Sequence, residues 1–207
     1  MLAIQRAITG LQTGALYALT AVGFSLIFGS TRIFHFAHGA AFVIAAYFFY
    51  AAFGAGWGVI PAIAASAFGA VAFGLLLDRL VYVPIQRHEG SFFTVFVASF
   101  GVGIAVQNVI GMIFGRGYVT VNTTLSRSVE VIPEVYVSPL AWIAIACAAI
   151  FLGALGFFLK RTHTGMALRA LADNPELVRT FGLNPRTIQA AAFAIGSVIV
   201  VPAAIIT

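Results

Sequence analysis

The sequence predicts an all-α protein, a polytopic transmembrane helical bundle with about six spans. Hydrophobic residues make up 61% of the chain and charged residues 8%, whereas a soluble domain has about 45–50% apolar and about 25% charged residues. The mean hydropathy is +1.04. Uninterrupted apolar runs such as LAWIAIACAAIFLGALGFFL lack the period-2 alternation that a membrane β-barrel requires. Lipid is therefore the expected solvent.

Six segments are apolar over the roughly 20 residues that a helix needs to cross the hydrocarbon core. Within a single transmembrane domain over 1–207, the predicted spans are 7–29, 36–54, 59–83, 92–114, 138–159 and 187–207. The first span is too long for the apolar core of a cleaved signal peptide, which has about 7–15 residues. We therefore expect it to remain in the protein.

The distribution of Lys and Arg predicts the orientation, because cytoplasmic loops keep an excess of both. One set of helix ends carries Arg32, Arg79, Arg87, Lys160, Arg161, Arg169, Arg179 and Arg186, and the other carries Arg6, Arg116 and Arg127. The first set marks the inner side, so we expect the N-terminus outside and the loop 160–186 in the cytoplasm. The net charge of +5 then reflects topology, and no compact basic patch with interleaved aromatic residues predicts nucleic-acid binding.

The chain lacks the sequence of a nucleotide-binding loop. Its one lysine, Lys160, follows Phe-Phe-Leu, so no glycine-rich loop ends in Gly-Lys-Ser/Thr. Any ATP chemistry must come from a partner, and we expect no cofactor in this chain.

The stretch IFHFAHGAAF places His35 and His38 three residues apart at the start of the second span. On a helix they would share one face, and ionisable residues at membrane depth usually face the bundle interior or a watery cavity. We expect them to line or gate a polar pathway, with Gly39 allowing a helix to start or break there. A boundary histidine bonded to a backbone carbonyl is the structural alternative. A zinc site is a third, without an obvious third ligand nearby.

Two adjacent amides, Gln107 and Asn108, interrupt the fourth span. Adjacent residues point about 100° apart on a helix, so both cannot face lipid, and at least one is expected to bond to a neighbouring helix. They serve either as contacts between helices or as part of the pathway.

The segment 160–186 predicts two short helices. Met166, Ala167, Ala170 and Leu171 recur at helical spacing. Asn174-Pro175 then gives an N-cap followed by proline at the first helical position, which predicts a helix over 175–181 with Leu177, Val178 and Phe181 on one side. Gly182 would end that helix, and Asn184-Pro185 would start the last span. The pair is either a docking element or two helices lying on the lipid headgroups.

Four blocks of the chain resemble one family. The loop block RTHTGMALRALADNPELVRTFGLNPRT has a Gly-x-x-x-Arg-Ala motif followed by Gly-Leu-Asn, carried here by Gly165, Arg169, Ala170, Gly182, Leu183 and Asn184. GALYALTAVGFSLIFGSTRIFHFAHGA, LDRLVYVPIQR and SFGVGIAVQN supply the other three blocks. Together they are similar to the permeases of bacterial branched-chain amino-acid ABC importers, the LivH type.

This resemblance implies an inner-membrane permease subunit for branched-chain amino acids or a similar small polar solute. It implies a related second permease subunit or a homodimer, two ABC ATPase subunits that hold ATP and Mg, and an extracytoplasmic solute-binding protein. The residues expected to couple the permease to the ATPases are Gly165, Arg169, Ala172, Asp173, Asn174, Pro175, Glu176 and Leu177.

The chain departs from the family at three places. His35 stands where the family usually has asparagine, and Ala40 where an acidic residue commonly follows His-Gly. The sequence also stops at Thr207 within the last span, where the family continues with at least two more spans, so we expect a truncated or shortened permease. The alternatives are a secondary transporter or channel, a fragment without transport activity, and an intramembrane enzyme built on the two histidines.

Overall fold

A computed structural model describes residues 2–88, 90–117, 119–121, 123–132 and 135–207. Its helices are α1 (Leu2–Thr31), α2 (His38–Gly54), α3 (Val59–Leu77), α4 (Val83–Arg87), α5 (Phe92–Phe114), α6 (Pro139–Arg161), α7 (His163–Asp173), α8 (Pro175–Thr180) and α9 (Pro185–Ile206). A π-helical turn, Asp78–Tyr82, joins α3 to α4. Two short strands, β1 (Val129–Ile132) and β2 (Val135–Val137), pair antiparallel. The helical fold class is therefore confirmed.

Five of the described helices are long and apolar enough to cross a membrane: α1, the continuous helix Val59–Arg87, α5, α6 and α9. They correspond to five of the six predicted spans. Helix α1 begins five residues earlier than predicted, because Leu, Ala, Ile, Gln and Arg extend a helix readily beyond its apolar core. The remaining span, α2, has only 17 residues.

Helix α2 begins inside the bundle rather than at its edge. The N–H of Ala37 donates a hydrogen bond to Ser99 Oγ at 2.8 Å, and Ser99 lies seven residues into α5, about 10 Å along that helix. The ring of His38 packs on Gly23, eight residues before the end of α1, about 12 Å along its axis. The second crossing is therefore a discontinuous one, in which residues 32–37 run inward before α2 starts.

Helix α9 forms the centre of the bundle, with 61% of its most apolar window buried. It packs against α1, α2 and α3. Two glycines allow the closest of these approaches: a Cβ on Gly23 would lie 2.7 Å from the carbonyl oxygen of Gly196, and a Cβ on Gly196 would lie 2.9 Å from that of Gly23. Backbones that approach this closely through small residues are typical of membrane helices.

Two long-range contacts define the two ends of the bundle. At one end, the side-chain amide of Gln5 donates to the carbonyl of Tyr136 at 2.8 Å and accepts from the N–H of Tyr136 at 3.1 Å. At the other, Arg32 Nη2 donates to the carbonyl of Ala172 at 3.3 Å. The N-terminus and the loop that carries the hairpin thus share one end, and the end of α1 and the α7–α8 segment share the other.

The caps of the α7–α8 segment form as predicted. Asn174 Oδ1 accepts hydrogen bonds from the N–H groups of Glu176 and Leu177 at 2.9 and 3.0 Å. Gly182 has a φ of 76°, as expected for the residue that follows a helix end. Asn184 Oδ1 accepts from the N–H of Arg186 and caps α9.

The apolar faces of α7 and α8 differ from the predicted ones. On α7, Leu168 and Leu171 are buried whereas Met166 is exposed, and on α8 only Val178 is buried. The buried side chains pack against Ile188 and other apolar residues of α6 and α9, so contact with the bundle decides which stripe faces inward. Leu177 and Phe181 are exposed on the outer side instead.

Candidate functional site

His35 is held by a buried chain of hydroxyl groups. Its Nδ1 atom lies 2.8 Å from the hydroxyl oxygen of Tyr82, and that hydroxyl donates to Ser99 Oγ, also at 2.8 Å. Ser99 Oγ accepts a second bond from the N–H of Ala37. Because Tyr82 gives its proton to Ser99, its oxygen is the acceptor for His35, which places a proton on Nδ1 and leaves Nε2 of His35 as an acceptor. The π-helical turn and α5 thus fix the chain just before α2.

His38, the first residue of α2, faces the same region from the next turn. The ring centroids of His35 and His38 are 5.5 Å apart, and the two side chains have exposed fractions of 0% and 3%. Within the described residues, Nε2 of His35 and both ring nitrogens of His38 have no hydrogen-bond partner. The backbone of Thr20 interacts with the His38 ring without reaching hydrogen-bond geometry. Buried polar atoms without partners are uncommon and call for a water, an ion or a ligand.

Helix α9 closes the site from the bundle side. The ring of Phe193 lies 5.1 Å from that of His35 and 5.6 Å from that of Tyr82. One turn further, Ser197 is fully buried, and its hydroxyl has no partner in the described part of the chain. Ser197 lies against Gly74, where a methyl group would collide with its hydroxyl.

A groove of about 420 Å³ opens beside the histidines, between them and α1. Its lining consists of Tyr17, Thr20, Ala21, Phe24, Phe34, His35, Phe36, His38 and Gly39. The walls are mostly aromatic, and the histidines and the start of α2 supply polar groups. An apolar groove with a few polar groups placed together is the usual form of a small-molecule site.

Gln107 and Asn108 do not join the histidines in this groove. Both lie on an exposed part of α5. Asn108 donates to the carbonyl of Ile104 in its own helix at 2.9 Å and accepts from Arg116 at 3.4 Å. No described helix is bridged by these bonds. Their assignment to the pathway stays a prediction.

A second buried polar pair lies nearer the α7–α8 segment. Asp78, in the π-helical turn, is buried, and its carboxylate accepts a hydrogen bond from Gln189 of α9. The sequence predictions did not include these residues, nor Tyr82, Ser99 and Ser197. A tyrosine or serine in an apolar span is a weak signal, although Asp78 and Tyr82 lie in the block LDRLVYVPIQR that carried the resemblance.

The predicted coupling residues lie mainly on the surface. Exposed positions on α7, α8 and their junction are Arg169, Asp173, Asn174, Pro175, Glu176 and Leu177. Ala172 is half-buried, and its carbonyl accepts the bond from Arg32. Gly165 is buried, and a side chain there would collide with the carbonyl of Phe158. Gly165 therefore shapes the turn between α6 and α7 and cannot contact a partner directly.

Metal-ligating residues do not cluster. In the described ranges, no group of three or more His, Cys, Asp or Glu side chains could hold a metal ion. The histidine site therefore offers two imidazoles, hydroxyl groups and backbone N–H groups.

Comparisons with known proteins agree with the helical architecture. Residues 6–206 match the family model described as "Branched-chain amino acid transport system / permease component". The chain is 25% identical to the high-affinity branched-chain amino acid transport system permease protein BraD of Pseudomonas aeruginosa, over 98% of this chain and 70% of that protein. It is 24% identical to the LivH permease protein of Escherichia coli K12, over 94% of this chain and 67% of that protein. No solved structure matches significantly.

The match to the family model covers almost the whole chain and includes both histidines and the α7–α8 segment. Five helices long enough to span a membrane fit a permease. This chain is an integral membrane protein that belongs to the permease component family of branched-chain amino acid transport systems.

Proposed function

We propose that this chain is the membrane-spanning permease subunit of a bacterial ATP-binding-cassette importer. It forms the translocation path for branched-chain amino acids or a similar small polar solute, and separate ATPase subunits drive it. The observation that carries this proposal is the pair of buried histidines where a discontinuous helix begins inside the bundle, with three ring nitrogens that have no partner among the described residues. Irregular backbone at membrane depth is tolerated where it is buried in protein or lines a cavity, and unpaired buried polar atoms fit a path for a polar solute.

In this proposal, movements of the ATPases reach the histidine site through the α7–α8 segment. Its exposed side chains form the surface for an ATPase subunit, with Leu177 and Phe181 as apolar contacts. The same segment connects directly to the site, because Arg32 bonds to Ala172 and precedes His35 by three residues. Helix α9, which starts after α8, carries Phe193 against His35. A shift of the segment would therefore move both sides of the histidine site.

The proposed assembly contains a related second permease subunit or a second copy of this chain, two ATPases and an extracytoplasmic solute-binding protein. It lies in the bacterial inner membrane, with the N-terminus outside and the α7–α8 segment in the cytoplasm. Affinity purification of this chain from its own membranes, followed by intact-mass analysis, tests this composition. Recovery of two ATPase chains with a second permease supports the importer. Recovery of this chain alone contradicts it.

Secondary transport is the second candidate, and buried Asp78 favours it. An ionisable residue inside a membrane bundle often binds a coupling ion, and the carboxylate of Asp78 is held by Gln189. This candidate predicts gradient-driven uptake without ATPases that is lost in Asp78→Asn. The importer predicts no uptake in the absence of ATPase subunits, whatever the gradient.

A further inference from the structure

The N-terminus of α2 carries one backbone donor that has no partner among the residues the structure describes. The N–H of Ala37 bonds to Ser99, that of His38 to the carbonyl of His35 at 3.1 Å, and those of Ala40 and Ala41 to the carbonyl of Ala37 at 3.0 and 3.1 Å. Gly39 is the exception, because its N–H donates to no described residue. A donor left free beside an apolar groove costs free energy unless a ligand or water accepts from it.

The electrostatics of this helix end favour an anion. A helix N-terminus carries a partial positive charge and directs its N–H groups outward. No acidic residue lies in the first turn of α2, and no side chain caps it. The charge of the helix end is therefore not compensated by a residue of its own first turn or by a capping side chain.

An independent feature, the pair of histidines, indicates that the groove takes a ligand. His35 and His38 both line it, each is more than nine-tenths buried, and three of their four ring nitrogens have no partner in the described part of the chain. A neutral imidazole has one N–H donor and one acceptor, so His38 offers a second donor beside Gly39. Nε2 of His35, an acceptor, suits a protonated group of the same solute.

Gly39 itself leaves room for the ligand. It is exposed, and a Cβ built on it meets no atom within 4 Å. The side-chain position of Gly39 is therefore open, and Gly39 lines the groove.

We propose that the groove at the start of α2 binds the carboxylate of the transported solute, through the N–H of Gly39 and a ring N–H of His38. This inference rests on the proposed transport function and deepens it: the solute carries a carboxylate, as an amino acid does and as urea or a simple amide does not. In this arrangement the discontinuity of α2 is the recognition element.

The test uses the complex purified with this chain, in lipid nanodiscs, and equilibrium binding of radiolabelled leucine. Leucinamide is the competitor, because it keeps the side chain and the amine of leucine and lacks the carboxylate. Leucine should bind about tenfold or more tightly than leucinamide, as expected for a hydrogen bond to a charged group. Equal affinities, or no saturable binding of leucine to the wild-type complex, would overturn the proposal.

Two variants of Gly39 separate the effect of a negative charge from the effect of side-chain size. Gly39→Asp places a fixed carboxylate at the helix N-terminus, where it is favourable for folding, so it should weaken leucine binding far more than leucinamide binding. Gly39→Asn has nearly the same size and no charge, so it should weaken both to a similar extent and keep their ratio. An unchanged ratio in Gly39→Asp contradicts the subsite.

ATP-dependent uptake by the same complex separates this inference from the proposed function. Uptake of leucine without a preference for the carboxylate in binding leaves the function intact and overturns the subsite. A complex that prefers leucine over leucinamide and shows no ATP-dependent uptake supports the subsite and contradicts the importer.

Discussion

His35 and Tyr82, 47 residues apart in the sequence, share a hydrogen bond of 2.8 Å in the buried centre of the bundle. This bond ties the segment before α2 to the π-helical turn between α3 and α4. π-Helical turns frequently occur at functional sites. Since Phe193 packs against both rings, three parts of the chain meet at one imidazole, and a change in any of them reaches the histidine site.

Removal of the Tyr82 hydroxyl should impair the site without removing bulk. Tyr82→Phe leaves His35 Nδ1 without its partner, and an unsatisfied buried polar group costs about 1–3 kcal/mol. We expect a lower thermal unfolding temperature and a loss of uptake of about tenfold, the factor that corresponds to about 1.4 kcal/mol. Tyr136→Phe is the matched control, because Tyr136 is half-exposed and contacts Gln5 through its backbone. Equal effects of the two changes would contradict the role of the hydroxyl.

Loss of the His38 imidazole should lower transport and leave assembly of the complex intact. His38→Ala removes unpartnered nitrogens, so it leaves no stranded hydrogen-bond partner and should allow the complex to assemble. Uptake should fall because the polar lining of the groove is lost. His88→Ala controls for histidine loss, since His88 is exposed and its ring lies 2.9 Å from the carbonyl oxygen of the nearby Pro84. Wild-type uptake by His38→Ala would instead favour a structural histidine.

The crossing of α1 and α9 should not tolerate a side chain. In Gly196→Ala, the new methyl would lie 2.7 Å from Ile27 Cδ1 and 2.9 Å from the carbonyl oxygen of Gly23. Overpacking of this kind costs about 1–3 kcal/mol, which denaturant unfolding in detergent would measure. Gly101→Ala on α5 is the control, because its Cβ meets nothing within 4 Å, and it should be neutral or stabilising by about 0.5–1 kcal/mol. Equal stability of the two variants would refute the close crossing.

The junction of α7 and α8 should connect ATP hydrolysis to transport. Asn174→Ala with Pro175→Ala removes the cap and the proline that starts α8, and loss of such a cap costs about 1 kcal/mol locally. We expect ATPase activity to continue while uptake falls, with the spans still inserted. Asn174→Asp keeps an oxygen acceptor and should retain coupling better than the double variant. Unchanged coupled transport in the double variant would exclude this segment from coupling.

Local signals account for what the sequence predicts well. Apolar length alone predicts five of the spans, and the pairs Asn174-Pro175 and Asn184-Pro185 predict helix starts because a cap depends on neighbours two or three residues away. Gly182 ends α8 for an equally local reason. The hairpin of β1 and β2 is too short to have been predicted from periodicity.

Long-range contacts account for what the sequence does not predict. Ser30, Thr31 and Arg32 mark the end of the first span in the sequence, but no local signal gives the depth at which α2 starts. That depth depends on Ser99 and Tyr82, which lie far away in the sequence. The π-helical turn depends in the same way on tertiary packing. Gln107 and Asn108, like the histidines, are polar residues within an apolar span, yet they lie on an exposed part of α5. The sequence of a helix does not determine which of its faces other helices cover.

We expect ATP to drive a polar solute past His35 and His38, and uptake by the complete complex would measure this. Radiolabelled leucine uptake would be measured in proteoliposomes that contain this chain with its co-purified subunits and solute-binding protein, with and without internal ATP. We predict that uptake requires ATP. In the double variant His35→Ala with His38→Ala, at equal assembly, it should fall about tenfold or more, a change of about 1.4 kcal/mol or more. Uptake that is independent of ATP, or that is equal in wild type and double variant, would contradict it.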